Sequence, residues 1–157
     1  LQPLCSVNLG AGCYQRVRQF FHLGVKTVLV ASGLFVLVGE LFPRVIVGIF
    51  TEPTPQVVSM AVYAIRIYFI AYLPMGINII TSTFHQSLES FREATLISLA
   101  RGLIFLVPAL FLLGEVFGVN GIWATVPVCE GLTLLLSVLL LRRLFAARFP
   151  EESSSAL

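Results

Sequence analysis

Aspartate is absent from these 157 residues, and every acidic side chain is a glutamate. Charged residues of both signs amount to 11% of the chain, against about 25% in a soluble domain. With 57% hydrophobic residues and a mean hydropathy of +0.94, that shortage excludes an ordinary soluble fold and places the chain in a membrane. The net charge of +2 is too small, and its positives too scattered, for a nucleic-acid surface. Cysteine is scarce as well: Cys5, Cys13 and Cys129 form no CxxC pair and no Cys/His ligand spacing, so neither a disulfide framework nor zinc is supported. They read as small apolar helix residues. HExxH and GxSxG are missing, and neither histidine lies within helical reach of a cysteine, so no enzyme is expected. A basic-then-apolar secretory signal is missing too. The chain opens on Leu1-Gln2-Pro3 and is expected to be a fragment beginning inside or just after a helix.

What is present is a series of apolar runs. A helix crossing the hydrocarbon needs about 20 mostly apolar residues, and four stretches meet that length: 23–42, 55–88, 94–113 and 119–141. Thr54-Pro55 opens the second as an N-cap followed by a first-turn proline. The connections are short, so each helix should run antiparallel to the next. A short apolar piece, 45–50, is expected at the interface, or as a continuation of the first helix, before "TEPTP" turns the chain. The organisation expected is the end of a membrane helix and a loop over 1–22, a four-helix part over 23–144, and a polar tail over 145–157. The end of that tail, "FPEESSSAL" (149–157), reads as disordered.

Positive charge sets the sides. Arg16, Arg18, Arg92, Arg142, Arg143 and Arg148 fall on one side, with Lys26 and Arg101 snorkelling toward it. Arg44 falls on the other with Glu40, Glu52 and Glu115. Both chain ends are therefore expected to be cytoplasmic. "NLGAGCYQRVR" near the front, 8–18, has glycines that superficially suggest a phosphate cradle. Without a preceding strand it reads as a turn between two membrane helices, its arginines marking the cytoplasmic side. Gly118-Val-Asn-Gly121 reads as a second turn.

Polar groups inside an apolar span are costly and need a partner or a cavity. Glu130 lies at the midpoint of the last run, where a bare carboxylate costs about 2.5–3.5 kcal/mol. It is either an ion or cationic-ligand site or a structural partner, with Arg101 as the candidate counter-charge. In the second run, Pro74 and Gly76 weaken the backbone ladder. Asn78, Thr81, Ser82, His85 and Gln86 then follow at one-turn spacings as a polar stripe, fit either for a pathway or for interhelical hydrogen bonds. Pro108 and Pro127 should kink the last two helices. Arg66, among Tyr63, Tyr68 and Tyr72, reads as a headgroup-border residue.

"QPLCSVNLGAGCYQRVRQ", "AIRIYFIAYLPMGINIITSTFHQSL" and "GVNGIWATVPVCEGLTLLLSVLLL" together resemble the C-terminal part of a MATE (multidrug and toxic compound extrusion) transporter, from about Gln2 to Leu144. The resemblance implies an all-α integral membrane fold of twelve helices in two lobes, of which this chain holds the end of the eighth helix and helices nine to twelve. It implies a secondary active antiporter of the plasma (inner) membrane, exporting cationic amphipathic drugs in exchange for protons or sodium, with no cofactor beyond that ion. Membrane lipids, small cationic substrates and the missing N-terminal lobe are the implied partners, with no nucleic acid. Asn78, Thr81 and Ser82 would face the C-lobe cavity, with Glu130 near it. Two departures stand out. The acidic residue that some sodium-linked members carry in the stretch matching Pro74-Met75-Gly76 is missing. Glu89-Ser90-Phe91-Arg92 also replaces a G-K-P-like turn. A lipid-linked oligosaccharide flippase and a non-transporting assembly subunit are the alternatives.

Overall fold

The computed structural model describes residues 1–50 and 54–148, the side chain of Phe50 excepted. Among them the chain is helical, with no strand. A short helix, α1 (Gln2–Gly10), leads into α2 (Tyr14–Leu41) and the eight-residue α3 (Pro43–Phe50). The second span is made of α4 (Pro55–Ile70) and α5 (Tyr72–Ser87). The third is α6 (Phe91–Leu99), a π-helical turn over Ala100–Ile104, and α7 (Leu106–Phe117). The last is α8 (Val119–Arg148). Among the described residues four spans are long and apolar enough to cross a membrane: Tyr14–Leu41, Pro55–Ser87, Phe91–Phe117 and Val119–Arg148.

The helices outrun the apolar runs that announce them. The first begins at Tyr14 rather than 23, because Arg16 and Arg18 end the hydrocarbon stretch without ending the helix. The last continues to Arg148, past 141, since arginines at a helix C-terminus suit its dipole. Residues 145–148 of the expected tail are thus helical, while 149–157 lie outside the described residues, as do Glu52 and the first three residues of "TEPTP". The expected Gly118–Gly121 turn shrinks to one residue. Gly118 alone, at φ 60° and ψ −137°, joins α7 to α8 in a region only glycine enters readily. In "NLGAG", Asn8 and Gly10 end α1, and Gly12 at φ 72° makes the turn into α2.

Two prolines sit just after backbone interruptions. Pro74 has no N–H for the Ile70 carbonyl, and the chain answers with a break at Ala71, whose N–H bonds Tyr68 at 3.0 Å before Met75 resumes the ladder to Ala71. Pro108 follows the π turn, marked by the 2.9 Å bond from the Phe105 N–H to the Ala100 carbonyl five residues back. Pro127, by contrast, stays inside an uninterrupted α8.

The Leu88–Ser90 turn explains one departure from the family pattern. The Ser90 N–H bonds the His85 carbonyl at 2.9 Å and the Glu89 N–H bonds Gln86 at 3.1 Å, the paired bonds of a Schellman cap. Glu89 occupies the left-handed position at φ 59°, where glycine is ordinarily found. The turn keeps its geometry and carries the strain. Glu89→Gly is therefore expected to raise stability by about 1 kcal/mol, read as a higher unfolding temperature of the full-length protein in detergent.

α5 is central, packed on α1, α2, α6 and α8, while α7 and α8 form a close hairpin. Glycines permit these approaches: Gly39 lies under the Phe69 ring, Gly76 against Val28 and Ser32, and Gly121 against the Leu113 backbone. At the arginine-rich end Cys5, Val17, Phe21, Phe84, Leu88 and Leu144 form the apolar core, with the Phe21 and Phe84 rings 4.3 Å apart. Elsewhere little is enclosed. Only 11% of the most apolar window is buried in Tyr14–Leu41 and in Pro55–Ser87, against 33% in α8. Apolar faces thus point outward, as lipid or a further lobe requires.

Candidate functional site

Glu130 is 4% exposed on the inner face of α8, and its two carboxylate oxygens have separate partners. Oε1 accepts from Arg101 Nη2 at 2.8 Å and Nε at 3.2 Å. Oε2 accepts from Asn78 Nδ2 at 2.8 Å, and the same amide donates to the Glu130 carbonyl at 3.0 Å. Asn78 Oδ1 in turn accepts from Ser137 Oγ at 2.9 Å. A carboxylate needs a donor opposite it and a hydroxyl can supply one, so the network fixes the orientation of the amide.

Three pieces of backbone bring this about. Glu130 and Ser137 lie seven residues apart, two turns of α8, and so share a face. Asn78 projects from α5 just after its Pro74–Gly76 start. Arg101 is the second residue of the π turn, and the Cys129 thiol donates to its carbonyl at 3.1 Å. A buried ion pair is tolerated when the remaining lone pairs and protons are bonded, and here Asn78 completes the carboxylate.

Of the residues singled out from sequence, Asn78 and Glu130 meet. Ser82 does not join them: its hydroxyl donates to the Ala94 carbonyl at 3.2 Å and lies 3.4 Å from Ser98 Oγ, on the α6 side. Thr81 is buried at 1% and makes none of the bonds around Glu130. Arg101, read both as a snorkelling cation and as the candidate counter-charge of Glu130, pairs with Glu130. Arg66 pairs with Glu40 at 3.7 Å, an exposed and weak contact. Sequence reasoning overlooked Ser137 and Thr133. The signal was there in the four-residue repeat Thr125, Cys129, Thr133, Ser137, all buried on α8.

Chemically, the arrangement is a charge-neutral pair in a nearly dry site, with one uneven feature. The Glu130 side chain is 6% exposed and that of Arg101 is 26%. The arginine side chain is partly exposed and the carboxylate is enclosed.

Comparison with known proteins gives a consistent result. The MatE family model matches residues 1–111, which include Asn78 and Arg101 and stop short of Glu130. A FAD transporter of Shewanella oneidensis is 30% identical over 82% of this chain and 28% of its own length. The multidrug export protein MepA of Staphylococcus aureus (strain bovine RF122 / ET3-1) is 25% identical over 74% of this chain and 26% of its own. That of Staphylococcus saprophyticus is 22% identical over 88% and 30%. A solved chain described as protein A superposes with a TM-score of 0.80 at 33% identity, covering 87% of this chain and 30% of the other. The chain thus spans under a third of the length of these relatives. With four membrane-crossing helices and a match over more than half its residues, the chain belongs to the MatE family of multi-pass membrane transporters.

Proposed function

We propose that this chain is the C-terminal part of a secondary active exporter that exchanges cationic amphipathic compounds for protons or sodium ions, and that Glu130 is its coupling carboxylate. The observation that carries this is the mid-span network itself, in which a buried carboxylate is held by a guanidinium 2.8 Å away. Two arrangements are open to it. In one, Glu130 is charged and paired with Arg101. In the other, a proton or sodium neutralises Glu130 and Arg101 withdraws toward its exposed side.

The π turn gives the withdrawal a backbone route. Converting it to α-helix shifts the register by one residue, about 100° of rotation, which carries Arg101 off Glu130. Ion and cationic substrate then compete for one carboxylate, and that competition is what exchange requires. The partner lobe would complete the chamber, with the protein in the plasma membrane and both described chain ends on the cytoplasmic side. The relatives named as multidrug export proteins support the substrate class.

A second reading follows from the relative named as a FAD transporter, the one at 30% identity: an anionic dinucleotide held by the freed Arg101. The full-length protein in proteoliposomes separates the two. An imposed proton or sodium gradient is expected to drive ethidium uptake that FAD does not compete away. FAD uptake without ethidium uptake would transfer the assignment to the second reading, and transport of neither under either gradient would end both.

A further inference from the structure

At the arginine-rich end, a cavity of about 290 Å³ opens between the α5–α6 turn and the last turns of α8. It is smaller than the ~300–1,000 Å³ of pockets that take drug-sized ligands. Buried His85 and Leu144 form its floor, and Ser90, Glu93, Arg143 and Arg148 stand around its mouth. None of these residues belongs to the Glu130 network.

Three features put positive or donor groups around it. His85 is 0% exposed, and among the described residues neither of its ring nitrogens has a hydrogen-bond partner. Such a buried imidazole calls for an acceptor. Ser90 is the N-cap of α6, yet among the described residues its hydroxyl makes no capping bond, and a helix N-terminus favours anions. Arg143 and Arg148 are exposed on α8, and among the described residues neither pairs with a carboxylate. Glu93 opposes them. Two guanidinium groups against one carboxylate leave a single positive charge, which matches one phosphodiester. The cavity opens where the basic ends of the spans meet the headgroup layer.

We propose that this cavity binds a phosphate group, supplied by the headgroup of an anionic phospholipid. The phosphate sits between Arg143, Arg148 and the start of α6, above His85, whose enclosed imidazole donates to it only once the turn opens to uncover the ring. Bound there, the lipid ties the end of α8 to the α5–α6 turn.

The test is lipid retention by the full-length protein, read by native mass spectrometry and by unfolding temperature after titration with dioleoyl phosphatidylglycerol, dioleoyl phosphatidylcholine or inorganic phosphate. Phosphatidylglycerol should be retained and should raise the unfolding temperature, and phosphatidylcholine should do neither. The double variant R143Q/R148Q, at two exposed positions, should weaken phosphatidylglycerol binding about tenfold or more. Arg16→Gln, at the same border but outside the cavity, should leave it unchanged. Glu93→Gln should strengthen it. Equal retention of the two lipids would overturn the proposal, as would an unaltered double variant or weaker binding by Glu93→Gln. Inorganic phosphate stabilising as well as the lipid would reassign the site to a soluble phosphate.

Discussion

Gly121→Leu is expected to prevent the last two helices from closing on each other and to cost about 3 kcal/mol or more. Gly121 is buried at the start of α8, directly against the Leu113 carbonyl of α7. A side chain there meets backbone, which cannot rotate aside as a side chain can. Moving it would disturb the hydrogen bonds of the last turns of α7. A control lies on the same hairpin: a Cβ on Gly114 would come 3.6 Å from Ile122 Cγ1, an ordinary contact. Gly114→Ala should therefore change stability by no more than about 0.5 kcal/mol. Fluorescence-detected size exclusion of the full-length protein checks both, with loss of the monodisperse peak for Gly121→Leu and retention for Gly114→Ala. A well-behaved Gly121→Leu would mean that α7 and α8 do not pack as described.

The second large effect concerns the buried pair. Glu130→Ala leaves the Arg101 guanidinium without its counter-charge and should cost on the order of 3 kcal/mol. Arg101→Ala should cost a similar amount by stranding the carboxylate. The variant E130A/R101A removes both charges together, so neither is left stranded without its partner. It should fall short of the summed single-variant losses by about 1.5 kcal/mol or more. Unfolding temperatures of the unaltered protein and the three variants, combined in a double-mutant cycle, measure this coupling. Additive losses would show that the pair contributes nothing as a pair.

Much of this architecture was legible in the sequence because hydrocarbon imposes a length. Runs of about 20 apolar residues mark the spans whatever packs around them. Their ends were harder to place, since arginines stop a hydropathy window and leave a helix intact, as at Arg16, Arg18 and Arg142 to Arg148. The same logic drew attention to Glu130 and Asn78, polar groups in apolar company. That they touch was not readable: they lie 52 residues apart, and their meeting depends on the rotation of α5 against α8. Ser82 shows the limit of a stripe argument. One turn from Asn78 along α5, it serves α6 instead, because four residues advance a helix by about 400°, which leaves Ser82 about 40° round from Asn78, on the α6 side. Arg101 was readable as a counter-charge by chemistry alone, while the π turn that presents it was not, since no residue type announces an extra residue in a turn. At Glu89 the side chain argued against a left-handed turn, and the two cap hydrogen bonds to the end of α5 override that preference.

If Glu130 carries the coupling ion, its charge and not its shape decides whether a gradient does work. The most direct measurement compares the full-length protein with its Glu130→Gln variant in proteoliposomes, following ethidium in two modes. Under an imposed proton or sodium gradient, the variant should fail to accumulate dye. With dye on both sides and no gradient, exchange of labelled for unlabelled dye should fall as well, since the cationic dye needs the same carboxylate. Gradient-driven accumulation by Glu130→Gln at the level of the unaltered protein would contradict the assignment of Glu130 as the coupling site.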